Sequence, residues 1–156
     1  MKLAKDISLD ASTIWGKISK KIQIKEDYKV ILIVHNQFKM RVYVNKILNC
    51  NKYELHHAID ATTAISYAKS IRPDLIITGS NMQGNKDAIE ICRQVRLDEN
   101  LLDTKIIVIS SLKNVEERID ALLAGANDYV INPFSPLILT SKIARLLDYE
   151  YEYEYA

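Results

Sequence analysis

The sequence predicts an α/β fold in which a doubly wound, five-stranded parallel sheet carries helices on both faces. Five short apolar segments are typical of buried strands, and the segments between them have apolar residues at helical spacing. Strands that alternate with helices pair in parallel through right-handed crossovers. The clearest strand is the apolar run 75–77, which ends at Gly79 as a central strand ends at a loop.

The strands share runs of aliphatic or aromatic residues with little charge. We predict them at residues 29–34, 53–58, 75–79, 106–109 and 128–131. The carboxyl ends of parallel strands meet at one edge of the sheet, where open α/β proteins place their ligands. Gly79 is therefore predicted to lie at the edge of the sheet where a ligand would bind.

Five helices are predicted between and after the strands. Asp60 opens the second helix, and Ser135 with Pro136 opens the fifth, as N-terminal capping preferences indicate. Gly125 provides a stop signal for a fourth helix over 116–126. The predicted inward-facing positions of the second, third and fifth helices are Ala64, Ile65, Ala68, Ile71, Ala88, Ile91, Cys92, Val95, Leu139, Ile143 and Leu146.

Length, charge, cysteine spacing and hydropathy limit the kinds of protein to which this chain could belong. The 156 residues suit one domain with a real core, and a net charge of +1 indicates no nucleic-acid partner. Cys50 and Cys92 lack metal or redox spacing, so both are predicted to be reduced packing residues of a cytoplasmic protein. No apolar run is long enough to span a membrane, so no membrane partner is predicted.

Several motifs recur in an order that is specific to one family. They are Lys-Val-Ile-Leu-Ile-Val at 29–34, Arg-Pro-Asp-Leu-Ile-Ile-Thr at 72–78, Met82, Ala-Gly-Ala-Asn-Asp-Tyr at 124–129 and Asn-Pro-Phe-Ser-Pro at 132–136. Residues 28–149 thus resemble the receiver domain of two-component response regulators. The resemblance implies a flavodoxin-like (CheY-like) sheet of order 2-1-3-4-5, a phosphorelay context and a stand-alone module with no output domain.

The phosphorylation chemistry of that family has no counterpart in this sequence. The resemblance implies an aspartate nucleophile after the third strand, two metal-holding acids after the first, and a lysine after the fifth. The matching positions are Gly79, His35 with Asn36, and Asn132. The sequence therefore predicts a degenerate pseudo-receiver that has no metal site, needs no cofactor and is not an enzyme.

Two switch-like positions remain. By resemblance, Ser110 matches the hydroxyl residue of the fourth strand that reaches for the phosphoryl group, and Tyr129 matches the aromatic residue that moves with it. Alternatively, both residues simply cap and fill the sheet edge. Ser110 and His35 follow strands that the third strand separates, which opposes a nucleophilic Ser–His pair.

A second candidate surface follows from the run 132–136, which resembles receivers of the winged-helix regulator class. Those receivers pair through the fourth helix, fifth strand and fifth helix, where this chain has Arg118, Asp128 and Lys142. Ile138 stands where such receivers usually carry an acid, so one salt bridge is lost and apolar surface is gained. The chain could form a homodimer here, or Ile138 could be a scattered surface residue.

Residues 1–27 form an extension, predicted as an amphipathic helix. Ile14 and Ile18 recur at helical spacing beside Trp15, and the lysines share the other side. The helix either packs on its own domain or docks on a partner, and membrane-surface binding is a weaker third alternative. The acidic Tyr/Glu tail at 150–156 alternates strictly, which fits a frayed end or an extended strand.

The predicted function is phosphorylation-independent signalling by protein–protein contact. The alternative is a small-molecule or ion sensor that uses the neutral pocket among His35, Asn36, Gly79, Ser110 and Asn132.

Overall fold

The computed structural model describes residues 28–49, 52–80, 82, 87–111 and 115–147. Its five-stranded sheet has the order β2-β1-β3-β4-β5, and every pair of neighbouring strands is parallel. The strands are β1 Lys29–Val34, β2 Tyr53–Ala58, β3 Leu75–Gly79, β4 Lys105–Ser110 and β5 Asp128–Ile131. The predicted fold class and strand order are confirmed.

Helices connect the strands and follow the last one. They are α1 Phe38–Leu48, α2 Ala61–Ile71, α3 Asp87–Leu97, α4 Val115–Ala124 and α5 Pro136–Leu147. A short 3-10 helix, Glu99–Leu101, lies between α3 and β4 and was not predicted. Asp98 caps it by accepting the Asn100 amide proton at 2.9 Å.

The sheet is buried on both faces, because its apolar residues alternate between two cores. One core packs β1, β3 and β4 side chains against α2, α3 and α4, and the other packs the alternate side chains against α1 and α5. The buried strand residues of the first core are Leu32, Val34, Ala58, Ile76, Ile106, Val108 and Tyr129, and those of the second are Ile31, Ile33, Leu75, Ile77, Ile107, Ile109 and Val130. The carboxyl edge of the sheet therefore lies between two apolar layers.

Helix boundaries follow local hydrogen bonds. The Asp60 carboxylate accepts the Thr63 amide proton at 2.7 Å, which confirms the predicted start of α2. The prediction that α4 extends to residue 126 was wrong, since α4 ends at Ala124. Gly125 has φ +120°, and the Ala126 amide donates back to the Ala121 carbonyl at 3.0 Å, a geometry that terminates the helix.

The predictions for the cysteines, the two terminal segments and membrane-spanning helices have different outcomes. Cys92 is buried, and burial raises its thiol pKa to about 11, as fits a packing residue. Cys50, the 1–27 extension and the 150–156 tail lie outside the described residues. Among the helices that the structure describes, none is long and apolar enough to cross a membrane.

Candidate functional site

The candidate site lies at the carboxyl edge of the sheet, where β1, β3, β4 and β5 end side by side. Val34 pairs with Thr78 in the sheet register, so the next residues, His35 and Gly79, are neighbours. The Asn132 backbone N–H donates to the Ser110 carbonyl at 2.7 Å, which links the β4 and β5 ends. The structure therefore brings the predicted residues to one edge, in two adjoining groups.

His35 takes the space that a side chain at position 79 would need. A Cβ atom added to Gly79 would lie 2.8 Å from His35 Cδ2, 3.1 Å from His35 Nε2 and 3.1 Å from Met82 Cγ. Gly79 is buried in a strand, so a larger residue here would force the His35 ring or the Met82 side chain to shift. The edge of β3 is thus closed by an imidazole ring.

Three hydrogen bonds fix His35. Its backbone N–H donates to the Ala58 carbonyl at 3.1 Å, its carbonyl accepts from the Arg41 guanidinium at 2.6 Å, and its Nδ1 accepts the Gln37 amide proton at 3.0 Å. Since Nδ1 accepts, the proton of the neutral ring lies on Nε2. Burial, with a smaller contribution from the Arg41 charge, lowers the pKa of His35, so the ring is neutral at pH 7.

Met82 closes the other side of this space. The Asn36 side-chain amide donates to the Met82 carbonyl, and the Asp87 carboxylate accepts the Met82 amide proton at 2.9 Å. Asn36 itself is exposed, whereas Met82 is buried. Asp87, at the start of α3, thus fixes a residue that sits directly beside His35 and Gly79.

Ser110 and Tyr129 form the second group, together with Glu117 of α4. The Ser110 hydroxyl donates to Glu117 Oε1 at 3.3 Å, and Ser110 and Tyr129 are 4% and 6% exposed. Burial raises the pKa of Tyr129; its hydrogen bond with Ser110 opposes that effect, and the Glu117 carboxylate adds to it. The two switch-like residues are therefore in contact and packed inward.

Comparison with known proteins identifies the family. The family model of the response regulator receiver domain matches residues 31–144. This chain belongs to that family. Receiver domains are signalling domains of two-component systems and act through partner proteins.

Curated relatives and solved receivers agree with this assignment. The probable transcriptional regulator ycf27 of Cyanophora paradoxa is 32% identical over 119 residues, which are 76% of this chain and 48% of that protein. The response regulator MprA of Mycobacterium avium is 32% identical over 117 residues, which are 75% of this chain and 50% of that protein. The chain thus spans about half the length of the curated relatives it matches.

Solved structures give the same fold. The chemotaxis response regulator CheY4 of Vibrio cholerae superposes with a TM-score of 0.69 at 26% identity, and the match covers 76% of this chain and 98% of that one. The receiver domain of the sensor histidine kinase PA1611 from Pseudomonas aeruginosa has a TM-score of 0.68 at 24% identity, with 76% and 96% covered.

The predicted interface residues of the receiver domain lie at its β5 side. Asp128 accepts from Lys142 Nζ at 2.9 Å and from Arg145 at 2.7 Å, so the structure brings two of the predicted residues together. Ile138 is 48% exposed, and Arg118 is exposed on α4. Trp15, Ile14 and Ile18 lie outside the described part of the chain.

Sequence reasoning missed Glu117, Arg41 and Arg145. Arg145 was open to prediction, because it lies three residues after Lys142 and therefore shares its helical face. Glu117 and Arg41 gave no such signal, since their partners lie on other elements. Within the described ranges, no three His, Cys, Asp or Glu residues form a group that could hold a metal ion.

Proposed function

We propose that this receiver domain signals by protein–protein contact and is not phosphorylated at the end of β3. The observation that carries the proposal is the His35 ring, which takes up the space where a side chain at position 79 would stand. Aspartyl phosphorylation needs a carboxylate that attacks phosphorus, and glycine has no side chain to do so. Under this proposal the protein is a pseudo-receiver, a receiver domain without a phosphoacceptor aspartate.

The surroundings of Gly79 support the same conclusion. The resemblance to receivers assigns metal-holding acids to His35 and Asn36, and Mg²⁺ prefers carboxylate oxygens. His35 is a neutral ring whose Nδ1 accepts from Gln37, and Asn36 directs its amide group to the Met82 carbonyl. Neither residue supplies the negative charge that draws Mg²⁺ to a phosphorylation site.

The end of β5 lacks the complementary positive charge. Asn132, the residue that follows β5, stands where the resemblance implies a lysine that pairs with phosphoryl oxygens. An amide stabilises a transferred phosphoryl group far less than a charged ammonium does. Every replaced position therefore removes charge, which leaves an edge suited to packing.

The proposed contact surface is the α4–β5–α5 face, defined here by Arg118, Ile119, Asp128, Ile138 and Lys142. Ile119 and Ile138 are each 48% exposed on α4 and α5. Asp128 with Lys142 places a fixed charge pair beside them. Apolar side chains next to polar groups are the usual composition of a protein interface, so a second copy through this face is the partner that we propose.

The relatives restrict the prediction that the protein has no nucleic-acid partner. Those named above include a probable transcriptional regulator, and this chain covers about half of it. A nucleic-acid-binding effector is thus compatible with the family. The prediction of no nucleic-acid partner is therefore restricted to this chain, whose net charge of +1 provides no electrostatic footprint for nucleic acid.

Intact-mass analysis tests the proposal. The protein is incubated with acetyl phosphate and Mg²⁺, beside an active chemotaxis receiver as the positive control. We expect the control to gain a base-labile phosphoryl adduct and this protein to gain none. A Mg²⁺-dependent, base-labile adduct on this protein would overturn the pseudo-receiver assignment.

A further inference from the structure

A groove runs between α3 and α4 towards the carboxyl ends of both helices. It encloses about 670 Å³ and is lined by Ile89, Arg93, Arg96 and Leu97 of α3 and by Asp120, Leu123 and Ala124 of α4. Leu97 and Leu123 are 78% and 81% exposed, because other residues of their helices pack on the core. The part of the chain that the structure describes therefore leaves apolar surface of this groove in water, which is typical of a binding site.

The lining carries more positive than negative charge. Arg93 and Arg96 contribute two guanidinium groups, and Asp120 contributes the one carboxylate of the lining. The Arg96 guanidinium donates to four neutral oxygens, which are the carbonyls of Leu102, Thr104 and Gly125 and the side-chain amide oxygen of Asn127. Among the described residues, neither arginine forms an ion pair with a carboxylate. The groove therefore favours an occupant that brings carboxylates.

The α3 wall of the groove presents its side chains in a regular row. Ile89, Arg93 and Leu97 follow one another at i, i+4 and i+8, so they recur about every 6 Å along one side of the helix. Alternate side chains of an extended chain recur about every 6.6 Å. An extended segment with a ring at every second residue therefore matches this row, and a ring beside Arg93 can also stack on its guanidinium.

Residues 148–156 have the composition and the spacing that this groove favours. They contain four tyrosines at every second position, four acidic side chains between and before them, and no lysine or arginine. The tyrosine rings match the leucines and the row on α3, and the carboxylates match the two arginines of the lining. Residues 1–27, by contrast, hold six lysines against four acids, so they match a lining with two arginines less well.

The last turn of α5, from which this segment continues, is joined to the groove lining by two hydrogen bonds. Arg145 donates to the Asp128 carboxylate at 2.7 Å, and Asn127, the residue before Asp128, accepts from Arg96 at 2.9 Å. The end of α5 therefore lies near the Arg96 end of the groove. Residues 148–156 can span roughly 30 Å when extended, so they can reach the groove within one molecule.

Strict alternation would also suit a sixth strand, but the handedness of crossovers opposes one beside β5 of the same molecule. α1 and α5 lie on the same face of the sheet, and through α1 the chain moves from β1 to β2. A right-handed crossover through α5 moves in the same direction, from β5 towards β4, where the neighbouring position is already taken. The groove is therefore the better site for the segment.

We propose that residues 148–156 dock in the α3–α4 groove of their own domain, with tyrosine rings on Leu97 and Leu123 and carboxylates within reach of Arg93. This docking covers the two leucines and gives Arg93 the acidic partner that the described residues do not provide. It does not rest on the proposed function, because neither position 79 nor the α4–β5–α5 face takes part in it.

Backbone NMR of the full chain, labelled with nitrogen-15, tests the docking. We expect the amide order parameters of residues 149–155 to lie above about 0.6, the value below which a backbone counts as flexible. A second chain that ends at Leu147 should show shifted amide signals at the groove and unchanged signals in α1. The signals expected to shift are those of Ile89, Arg93, Leu97, Leu123 and Ala124.

A charge variant and an apolar variant should each release the segment. In Arg93→Glu and in Leu97→Asp/Leu123→Asp, the order parameters of residues 149–155 should fall below about 0.6. The altered side chains are exposed, so the remaining amide signals should stay those of the folded domain. Lys69→Glu is the matched control, because it reverses an exposed cation on α2 outside the groove lining, and it should behave as the wild type.

Three outcomes would contradict the proposal. Low order parameters for residues 149–155 in the wild type, or groove signals that do not shift on truncation, would show that the segment does not dock in this groove. Order that persists in both groove variants, or that is also lost in Lys69→Glu, would place the segment elsewhere. Order that disappears on dilution would mean docking on a second copy and overturn docking within one molecule.

Discussion

The carboxyl edge of the sheet and the outer faces of α4 and α5 differ in how far their side chains are buried. At the edge, space is filled and polar groups are paired: the His35 ring blocks position 79, and Ser110 and Tyr129 are 4% and 6% exposed. On the helix faces, Leu123 and Leu137 are 81% and 73% exposed. The region that carries chemistry in receivers is here part of the packing, whereas the apolar surface free for contacts lies on the helices.

The largest expected effect comes from restoring an acid at the edge. Gly79→Asp should lower the free energy of unfolding by about 2 kcal/mol, because the new side chain either overpacks the site or expels the His35 ring and buries a carboxylate. Urea denaturation measures this. The double variant His35→Gly/Gly79→Asp should recover part of the loss. A Gly79→Asp protein as stable as the wild type would show that His35 does not fill this space.

The next effect concerns the second group of the edge. Glu117→Ala should cost about 1 kcal/mol, since it removes a charged hydrogen-bond partner of the buried Ser110 hydroxyl, which also bonds with Tyr129. Glu117→Gln keeps an acceptor oxygen and should cost less. Equal losses in the two variants, measured by thermal unfolding, would mean that the hydrogen bond contributes nothing.

A smaller effect is expected from pH. The pKa of His35 is lowered in the folded state, so the unfolded chain binds its proton more readily. The free energy of unfolding should therefore be highest at pH values above 6.5, the ordinary pKa of histidine. It should fall as the pH drops below 6.5. His35→Gln should flatten this dependence, which urea midpoints across the range would show. An unchanged slope in that variant would assign the effect to another group, for example His57, whose pKa is also lowered.

The smallest effect on stability is expected on the helix faces. Ile138→Asp should change the free energy of unfolding by less than about 0.5 kcal/mol, because Ile138 is 48% exposed. The same change should weaken self-association in sedimentation velocity. Leu97→Asp is a control outside the α4–β5–α5 face and should sediment as the wild type. A wild-type protein that remains monomeric well above micromolar concentration would contradict a homodimer.

Most of the fold was predictable from sequence, and the reason is burial. Strands covered on both faces appear as continuous apolar runs, so β3 and β5 were located correctly, and Asp60 revealed the start of α2 through its own chemistry. The end of α4 was set two residues too late. Its geometry depends on Gly125 adopting a positive φ, whereas the sequence shows only that glycine is present.

The candidate site was predictable in position but not in its contacts. Strand ends placed His35, Gly79, Ser110 and Asn132 at one edge, because parallel strands share a direction. That the His35 ring would lie on Gly79, or that Glu117 would accept from Ser110, depends on side-chain rotamers and on a helix that packs across the sheet. Neither leaves a trace in residue spacing.

The contact between His35 and Gly79 also constrains how this protein can change by mutation. A single substitution that introduces aspartate at position 79 meets the imidazole, so the folded protein is penalised before any phosphorylation chemistry is gained. A route to a phosphoacceptor that first replaces His35 with a smaller residue avoids this clash. The contact therefore favours one order of substitutions over the other.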